Sequence, residues 1–430
     1  MSETTHAAIA APEPRTRPAA LGFIYAAIMM NTISMGVIAP VFPTLVKRLT
    51  GQGDAGAAQV MGVFAAVWAL MNLVWGPIFG NLSDRYGRRP VLLVAMFGLA
   101  FDYVVMAIAP NIGWLFVGRV IAGITASSGP AAGAYVADVS TPETRARNFG
   151  RFQGAANAGI LLGPALGGYA PLLFQHTGLD LTRIPFWIAA VLAFANGLYG
   201  IFVIPESLGH DRRMPFHWGR ANPVGAIRLL TSRPGLMGMA SIMFLVWFGG
   251  SSFNSVFQFY THYRFNFGPP QFATLLMVLS AGGIVVQSFV AGWAARVLGE
   301  RGAVIVGMSL NVAAFVAVAL APNVTLFWAF TIIPILAGIA FPNLMSLLSH
   351  RVGVDEQGQL QGGLNVLFGL SMLIGPLTFT NIFALAVSPR LHLNLPGLPM
   401  LVGGALTAGA VFLSVVYARP AATPLASEPA

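Results

Sequence analysis

Apolar residues run through this chain in long stretches separated by short polar breaks. A helix needs about 20 apolar residues to cross roughly 30 Å of hydrocarbon. Twelve stretches meet that length: 20–46, 58–80, 90–109, 112–137, 149–172, 184–204, 235–261, 271–294, 302–321, 324–349, 358–386 and 395–418. They predict an all-α membrane protein of twelve transmembrane helices. They use up most of the chain and leave no room for a large soluble domain.

A single offset of 212 residues lays the second half of the pattern on the first. Gly80, Gly87 and Arg89 fall on Gly292, Gly299 and Arg301. Ala109-Pro110-Asn111 falls on Ala321-Pro322-Asn323, Pro130 on Pro342, and Gly163-Pro164 on Gly375-Pro376. The expected organisation is two pseudo-symmetric six-helix halves, 20–204 and 235–418. A charged, Pro- and Gly-containing linker, 205–234, joins them, and polar tails occupy 1–19 and 419–430. Repeated membrane halves predict a transporter with its site between the lobes, near mid-membrane depth.

Composition changes the picture in two places. Charged residues make up 9 % of the chain and apolar ones 56 %, where soluble domains carry about 25 % charged residues. The net charge of +9 would suit nucleic acid, but its distribution argues otherwise. With the N-terminus in the cytoplasm, 17 of 23 Lys and Arg lie in tails or cytoplasmic loops. Lys47, Arg48, Arg183, Arg264 and Arg390 lie outside, and Arg119 lies within a span. This positive-inside bias sets both termini in the cytoplasm and explains the basicity without a nucleic-acid partner. There are no cysteines, so disulfides, thiolate metal sites and cysteine nucleophiles are excluded. The first apolar stretch is too long for a signal-peptide core, and no cleavage is expected.

Two motifs carry mechanism. Gly80-Asn81-Leu82-Ser83-Asp84-Arg85-Tyr86-Gly87-Arg88-Arg89-Pro90 joins spans 2 and 3, with a degenerate copy over 292–301. Gly80 and Gly87 permit close backbone approach. Asp84 suits the positive N-terminal end of a helix from the other half, and Arg88 and Arg89 can reach Asp138. Span 5 reads Gly159-Ile160-Leu161-Leu162-Gly163-Pro164-Ala165-Leu166-Gly167-Gly168, a smooth glycine face with a proline that releases one backbone hydrogen bond. Glycine-rich packing alone would also produce it.

The loop at 80–90 closely resembles the signature loop of the major facilitator superfamily, over roughly residues 20–418. The resemblance implies that Gly80, Asp84, Gly87, Arg88, Arg89 and Asp138 latch the cytoplasmic side while the cavity opens outward. Gly159, Gly163, Pro164, Gly167 and Gly168 look like the antiporter motif of exporters. Asp102-Tyr103, Gly118–Thr125, Gly133–Asp138, Arg145-Ala146-Arg147 and Phe289-Val290-Ala291-Gly292 look like the tetracycline/proton antiporters. The resemblance implies a monomer in a bacterial inner membrane, exchanging protons for an amphipathic molecule. The chain departs from that branch at Asn31 and Asn311, where the family carries acids in spans 1 and 9.

Only Asp102 among the acids and Arg119 among the bases lie deep in a span. Spans 3 and 4 form a hairpin turning near Pro110-Asn111, and both residues lie about 13 Å from that turn at about 1.5 Å per residue. An unpaired charge there costs several kcal/mol, so the two are expected to pair. The pair either exchanges a proton at Asp102 under the influence of Arg119 or is a permanent structural bridge. Further cavity candidates come as polar or aromatic residues four apart on one helix face. These are Trp68 and Asn72, Gln153 and Asn157, Asn254 and Gln258, and Gln361 and Asn365, with Phe253, Phe257, Asn31 and Asn311 beside them.

Amides mixed with aromatics suit a bulky amphipathic compound. Each could equally serve as an interhelical hydrogen bonder, worth about 0.6 kcal/mol on average. A facilitator or importer of a small polar metabolite, an exporter of an endogenous one, and a membrane enzyme or receptor-type scaffold are the competing expectations. The enzyme is disfavoured because the spans hold no catalytic cluster. Neither a metal, a cofactor nor a nucleotide-binding phosphate loop is expected.

Overall fold

The computed structural model describes residues 18–126, 129–209, 211, 213–215, 230–231, 234–353, 356–388 and 394–417. Both tails and most of the predicted linker lie outside these residues, as do Arg390 and His392.

Proline and glycine decide where the long apolar stretches break. The first one forms two helices, α1 (Pro18–Ile38) and α2 (Phe42–Thr50), because Pro40 and Pro43 cannot continue the hydrogen-bond ladder and Pro43 opens α2 instead. α3 (Asp54–Tyr86) and α4 (Arg88–Ile108) meet at Gly87, whose φ of 108° strongly favours glycine. Asn111 caps α5 (Ile112–Thr125), its side chain accepting from the backbone N–H of Gly113 and Trp114. α6 (Gly129–Asp138), α7 (Pro142–Leu173) and α8 (Ile184–Val203) complete the first half.

The second half follows the same plan. α9 (Pro234–Phe265) leads to α10 (Pro269–Val285), which passes through a π-helical turn at Val286–Val290 into α11 (Ala291–Ala319). That helix turns at Gly299, with φ 69°. Asn323 caps α12 (Val324–Phe330), and α13 (Ile332–Ala337), α14 (Ala340–Ser349), α15 (Gln357–Ala386) and α16 (Leu398–Tyr417) follow.

Among the described residues, nine segments are long and apolar enough to cross a membrane. One of them, Pro269–Ala319, holds two crossings because the chain reverses at Gly299. α5 with α6, and α7 with its glycines, prolines and amides, supply the remaining two. The architecture is therefore twelve crossings in two six-helix halves.

The repeat is visible in contacts as well as in sequence. Arg89 Nη2 donates to the Ile201 carbonyl at 2.5 Å, and Arg301 Nη2 to the Val415 carbonyl at 2.6 Å. Gly163 lies against Gly36 of α1, and Gly375 against Ser251 of α9.

The two halves meet chiefly through α3 on α15 and α7 on α10. Gly62 leaves space for Pro376 and Thr380, and Gly168 for Pro269 and Ala273. Four hydrogen bonds tie the same end. Gln59 donates to Asn381 at 2.8 Å, and Gln258 to the Pro40 carbonyl at 2.5 Å. The Tyr169 and Thr274 hydroxyls lie 2.6 Å apart, and His262 Nδ1 lies 2.9 Å from Asp54 Oδ2. Lys47 holds the other Asp54 oxygen at 2.7 Å. This is the closed end. At the opposite, open end, Gln153, Gln361 and Asn365 are exposed.

Candidate functional site: a cavity between the halves

Below the closed end the halves part around a cavity of about 530 Å³. The break in the first span borders it, since Ile38, Ala39, Phe42 and Pro43 all line it. From the first half come Met35, Met61, Trp68, Tyr103 and the charged pair. From the second come Phe253, Asn254, Phe257, Gln258, Phe259, Phe272, Asn311 and Thr331.

Asp102 on α4 and Arg119 on α5 are antiparallel neighbours, as the hairpin demands, with Arg119 Nη2 3.5 Å from Asp102 Oδ2. Asp102 is wholly buried, whereas the Arg119 side chain keeps 12 % of its surface. Gly118 makes room for the carboxylate, because a methyl group there would stand 2.8 Å from Asp102 Oδ1. Two further contacts shape the pair. Arg119 Nη2 lies 2.7 Å from Met106 Sδ, and the guanidinium sits over the Phe42 ring at 4.8 Å from its centroid. A cation–π contact of this kind contributes about 0.5–2 kcal/mol, more as water is excluded.

The bridge is long and single, not bidentate. Asp102 Oδ1 and Arg119 Nε are buried without a hydrogen-bond partner. A buried polar atom left unsatisfied costs about 1–3 kcal/mol, and more when it is charged. The arrangement thus holds a carboxylate that can still accept a proton or a donor from a ligand.

Of the other predicted cavity residues, Trp68, Phe253, Asn254, Phe257, Gln258 and Asn311 line the space. Asn31, Asn72, Gln153, Asn157, Gln361 and Asn365 do not. Helical spacing fixes a face but not a depth, and these six lie nearer the open end, a turn or more from the lining positions. Gln153 donates to Asn157 at 3.3 Å, the local bonding that any such pair can adopt. Met35, Phe42, Tyr103, Phe259, Phe272 and Thr331 line the cavity without having been singled out as cavity residues from the sequence. Only Thr331 had a usable signal, since it stands 212 residues after Arg119.

At the open end of the first half, Arg88 bridges Asp84 at 2.5 Å and Asp138 at 3.2 Å, and also donates to Ser83 Oγ at 2.6 Å. One expectation is corrected here, that of Arg89. With this end open, Asp84 bonds within its own half, to Arg88, and a contact with a helix of the other half would arise only when this end closes. Arg89 does not reach Asp138 but points away to the Ile201 carbonyl. Gly87 allows Glu206 to close in, and Glu206 then accepts from the backbone N–H groups of Arg88 at 2.8 Å and Arg89 at 3.3 Å. A carboxylate on the bare N-terminus of α4 satisfies orphan donors and complements the helix dipole. Glu206 was overlooked because it lies in the linker. A side chain at Gly80 would meet nothing, so no close approach occurs there in this state.

The span 5 glycines divide by face. Gly159, Gly163 and Gly167 lie against Thr32, Gly36 and Val37 of α1, with Pro164 beside Gly36, while Gly168 faces α10 of the other half. One stripe therefore fixes the α1–α7 contact inside a half, and its last glycine serves the interface between halves.

Comparison with known proteins places this geometry. The profile of the Major Facilitator Superfamily matches residues 24–376. The class C tetracycline resistance protein of Escherichia coli is 35 % identical over 390 residues, covering 90 % of this chain and 94 % of that protein. Multidrug resistance protein 2 of Bacillus subtilis is 25 % identical over 393 residues, covering 88 % and 92 % respectively. Among solved structures, the inward-facing bacterial homologue of the human lysosomal transporter Spinster shares the fold. Its TM-score is 0.71 at 16 % identity, covering 94 % of this chain and 97 % of that one. With a family profile over most of its length, twelve crossings and a cavity between two repeated halves, the chain is a multi-pass membrane protein that belongs to the major facilitator superfamily, alongside the tetracycline resistance proteins.

Proposed function

We propose that this protein exports tetracycline-like or other amphipathic compounds in exchange for protons, by alternate exposure of the central cavity. Its open end then faces the cytoplasm of a bacterial inner membrane, with both termini on that side. The observation that carries the proposal is the Asp102–Arg119 pair, a titratable acid in the cavity wall held by one long contact. The aromatic and amide side chains around it supply an apolar bed with a few fixed hydrogen-bonding groups, the usual make-up of a small-molecule site.

Antiport requires that ligand and proton exclude one another. A ligand that brings positive charge or hydrogen-bond donors to Asp102, with Arg119 swung aside, competes with a proton for the same carboxylate. By reciprocity, the proton then expels the ligand to the same degree. Asn31 and Asn311 cannot titrate near neutral pH, which concentrates coupling on Asp102. Inverted membrane vesicles test this. Wild type should take up tetracycline on imposing an inside-acid gradient, and Asp102→Asn should lose gradient-driven uptake while keeping ligand exchange. Undiminished gradient-driven uptake in Asp102→Asn would remove the residue from coupling. Gradient-independent uptake in both would indicate a facilitator.

A further inference from the structure

The offset of 212 residues carries two charges of the open-end cluster of the first half, Asp84 and Arg88, onto charges of opposite sign. Asp84, Arg88 and Asp138 become Arg296, Glu300 and His350. The bonding is mirrored as well. Arg88 binds Asp138, and Glu300 Oε2 lies 3.7 Å from His350 Nδ1 while its other oxygen accepts from Ser346 Oγ at 2.6 Å. Asp84 pairs with Arg88. Its counterpart Arg296 is exposed and has no ion-pair partner among the described residues.

Two helix pairs join the halves at the closed end, α3 with α15 and α7 with α10. Rocking the halves so that the closed end opens brings together the far ends of the same two pairs. In the first pair the end of α3, at Asp84, approaches the start of α15. The first turn of α15 carries no acid, although Glu356 stands at its N-cap with its carboxylate turned back to the Gly353 N–H, and the positive N-terminal end of the helix lies on the side that Asp84 approaches. In the second pair Arg296 approaches the start of α7. A bare helix N-terminus would repel a guanidinium, so the reversed charge on this side calls for a reversed partner. The first turn of α7 supplies one, Glu143, which is exposed. Its own backbone N–H and the Thr141 hydroxyl hold its carboxyl below the usual glutamate range, so it is ionised.

The geometry points to an ion pair between Glu143 and Arg296 that forms across the halves when the open end closes, the charge-reversed twin of the Asp84 contact. This rests on the alternating-access reading above, and the experiment separates the two. The natural chain has no cysteine, so introduced thiols report alone. Gln361→Cys, on an exposed position at the open end, measures closure by its rate of alkylation with an impermeant maleimide. Glu143→Cys with Arg296→Cys measures the contact by disulfide formation under an imposed proton gradient.

The expected result is slowed alkylation together with a disulfide between the halves. In the Gln361→Cys background, Arg296→Glu should raise alkylation about threefold, as for a modest ion pair, and adding Glu143→Arg should restore it. Slowed alkylation with no disulfide, or no restoration by the exchanged charges, overturns the pair while leaving alternating access standing. Alkylation that never changes in any variant overturns both.

Discussion

At equal depth in the membrane the two halves hold different chemistry. Where the first half carries Asp102 and Arg119, the second carries Ala314 and Thr331, both buried. The Thr331 hydroxyl bonds the Trp328 carbonyl one turn back and reaches no charge. The cavity-lining amides Asn254, Gln258 and Asn311 lie on the other side, all in the second half. The scaffold is repeated, down to the capping asparagines and the Arg89 and Arg301 bonds, but the work is divided. One half holds the titratable pair, and the other supplies most of the polar surface a ligand would meet. Duplication preserved what makes the bundle and released what makes the site.

Removing the cation should produce the largest effect. Arg119→Leu strands a buried carboxylate, which costs about 3–5 kcal/mol when a buried pair is broken. Thr331→Leu, at the equivalent place, forfeits one local hydrogen bond of about 0.5–1.5 kcal/mol. Thermal melting of the detergent-purified variants measures the contrast, and equal losses would mean that the pair is not the asymmetric element. Next in size are the scaffold glycines. Gly163→Ala puts a methyl group 2.7 Å from Gly36 Cα, and Gly375→Ala presses on Ser251. Overpacking of this kind costs about 1–3 kcal/mol. Because the scaffold is symmetric, both should lower the melting temperature alike, and a cost on one side alone would break the symmetry argument. The smallest effects belong to the ligand wall. Phe253→Leu and Asn254→Ala should weaken tetracycline binding about threefold to tenfold, or up to about 1.4 kcal/mol, while gradient-driven exchange stays coupled. Quenching of tryptophan fluorescence, with Trp68 in the cavity wall, reads the affinity.

Much of this was legible in the sequence because membrane burial leaves few options. Asp102 and Arg119 stood out as lone charges in apolar stretches, and the Pro110-Asn111 turn fixed their shared depth. The glycines of span 5 announced close packing by their spacing. What sequence could not show was which helix each face meets and at what height. Thus Asn254 and Gln258 reached the cavity while Gln153 and Gln361 did not, although all sit on amide pairs of identical spacing. Glu206 was hidden because capping depends on a three-dimensional return of the linker to Gly87. The break after Ile38 had a visible cause in Pro40 and Pro43. Its consequence, Phe42 lying under the Arg119 guanidinium, appears only once the chain is folded.

Proton release on ligand binding tests the division of labour most directly. Purified wild-type protein in weak buffer, with a pH-sensitive dye and at a pH low enough for Asp102 to be protonated before ligand is added, should liberate up to about one proton for each tetracycline bound, as reciprocal linkage between the two requires. Asp102→Asn should bind without release. Equal release from the variant, or none from wild type at saturating ligand, would contradict the claim that proton and ligand contend for this carboxylate.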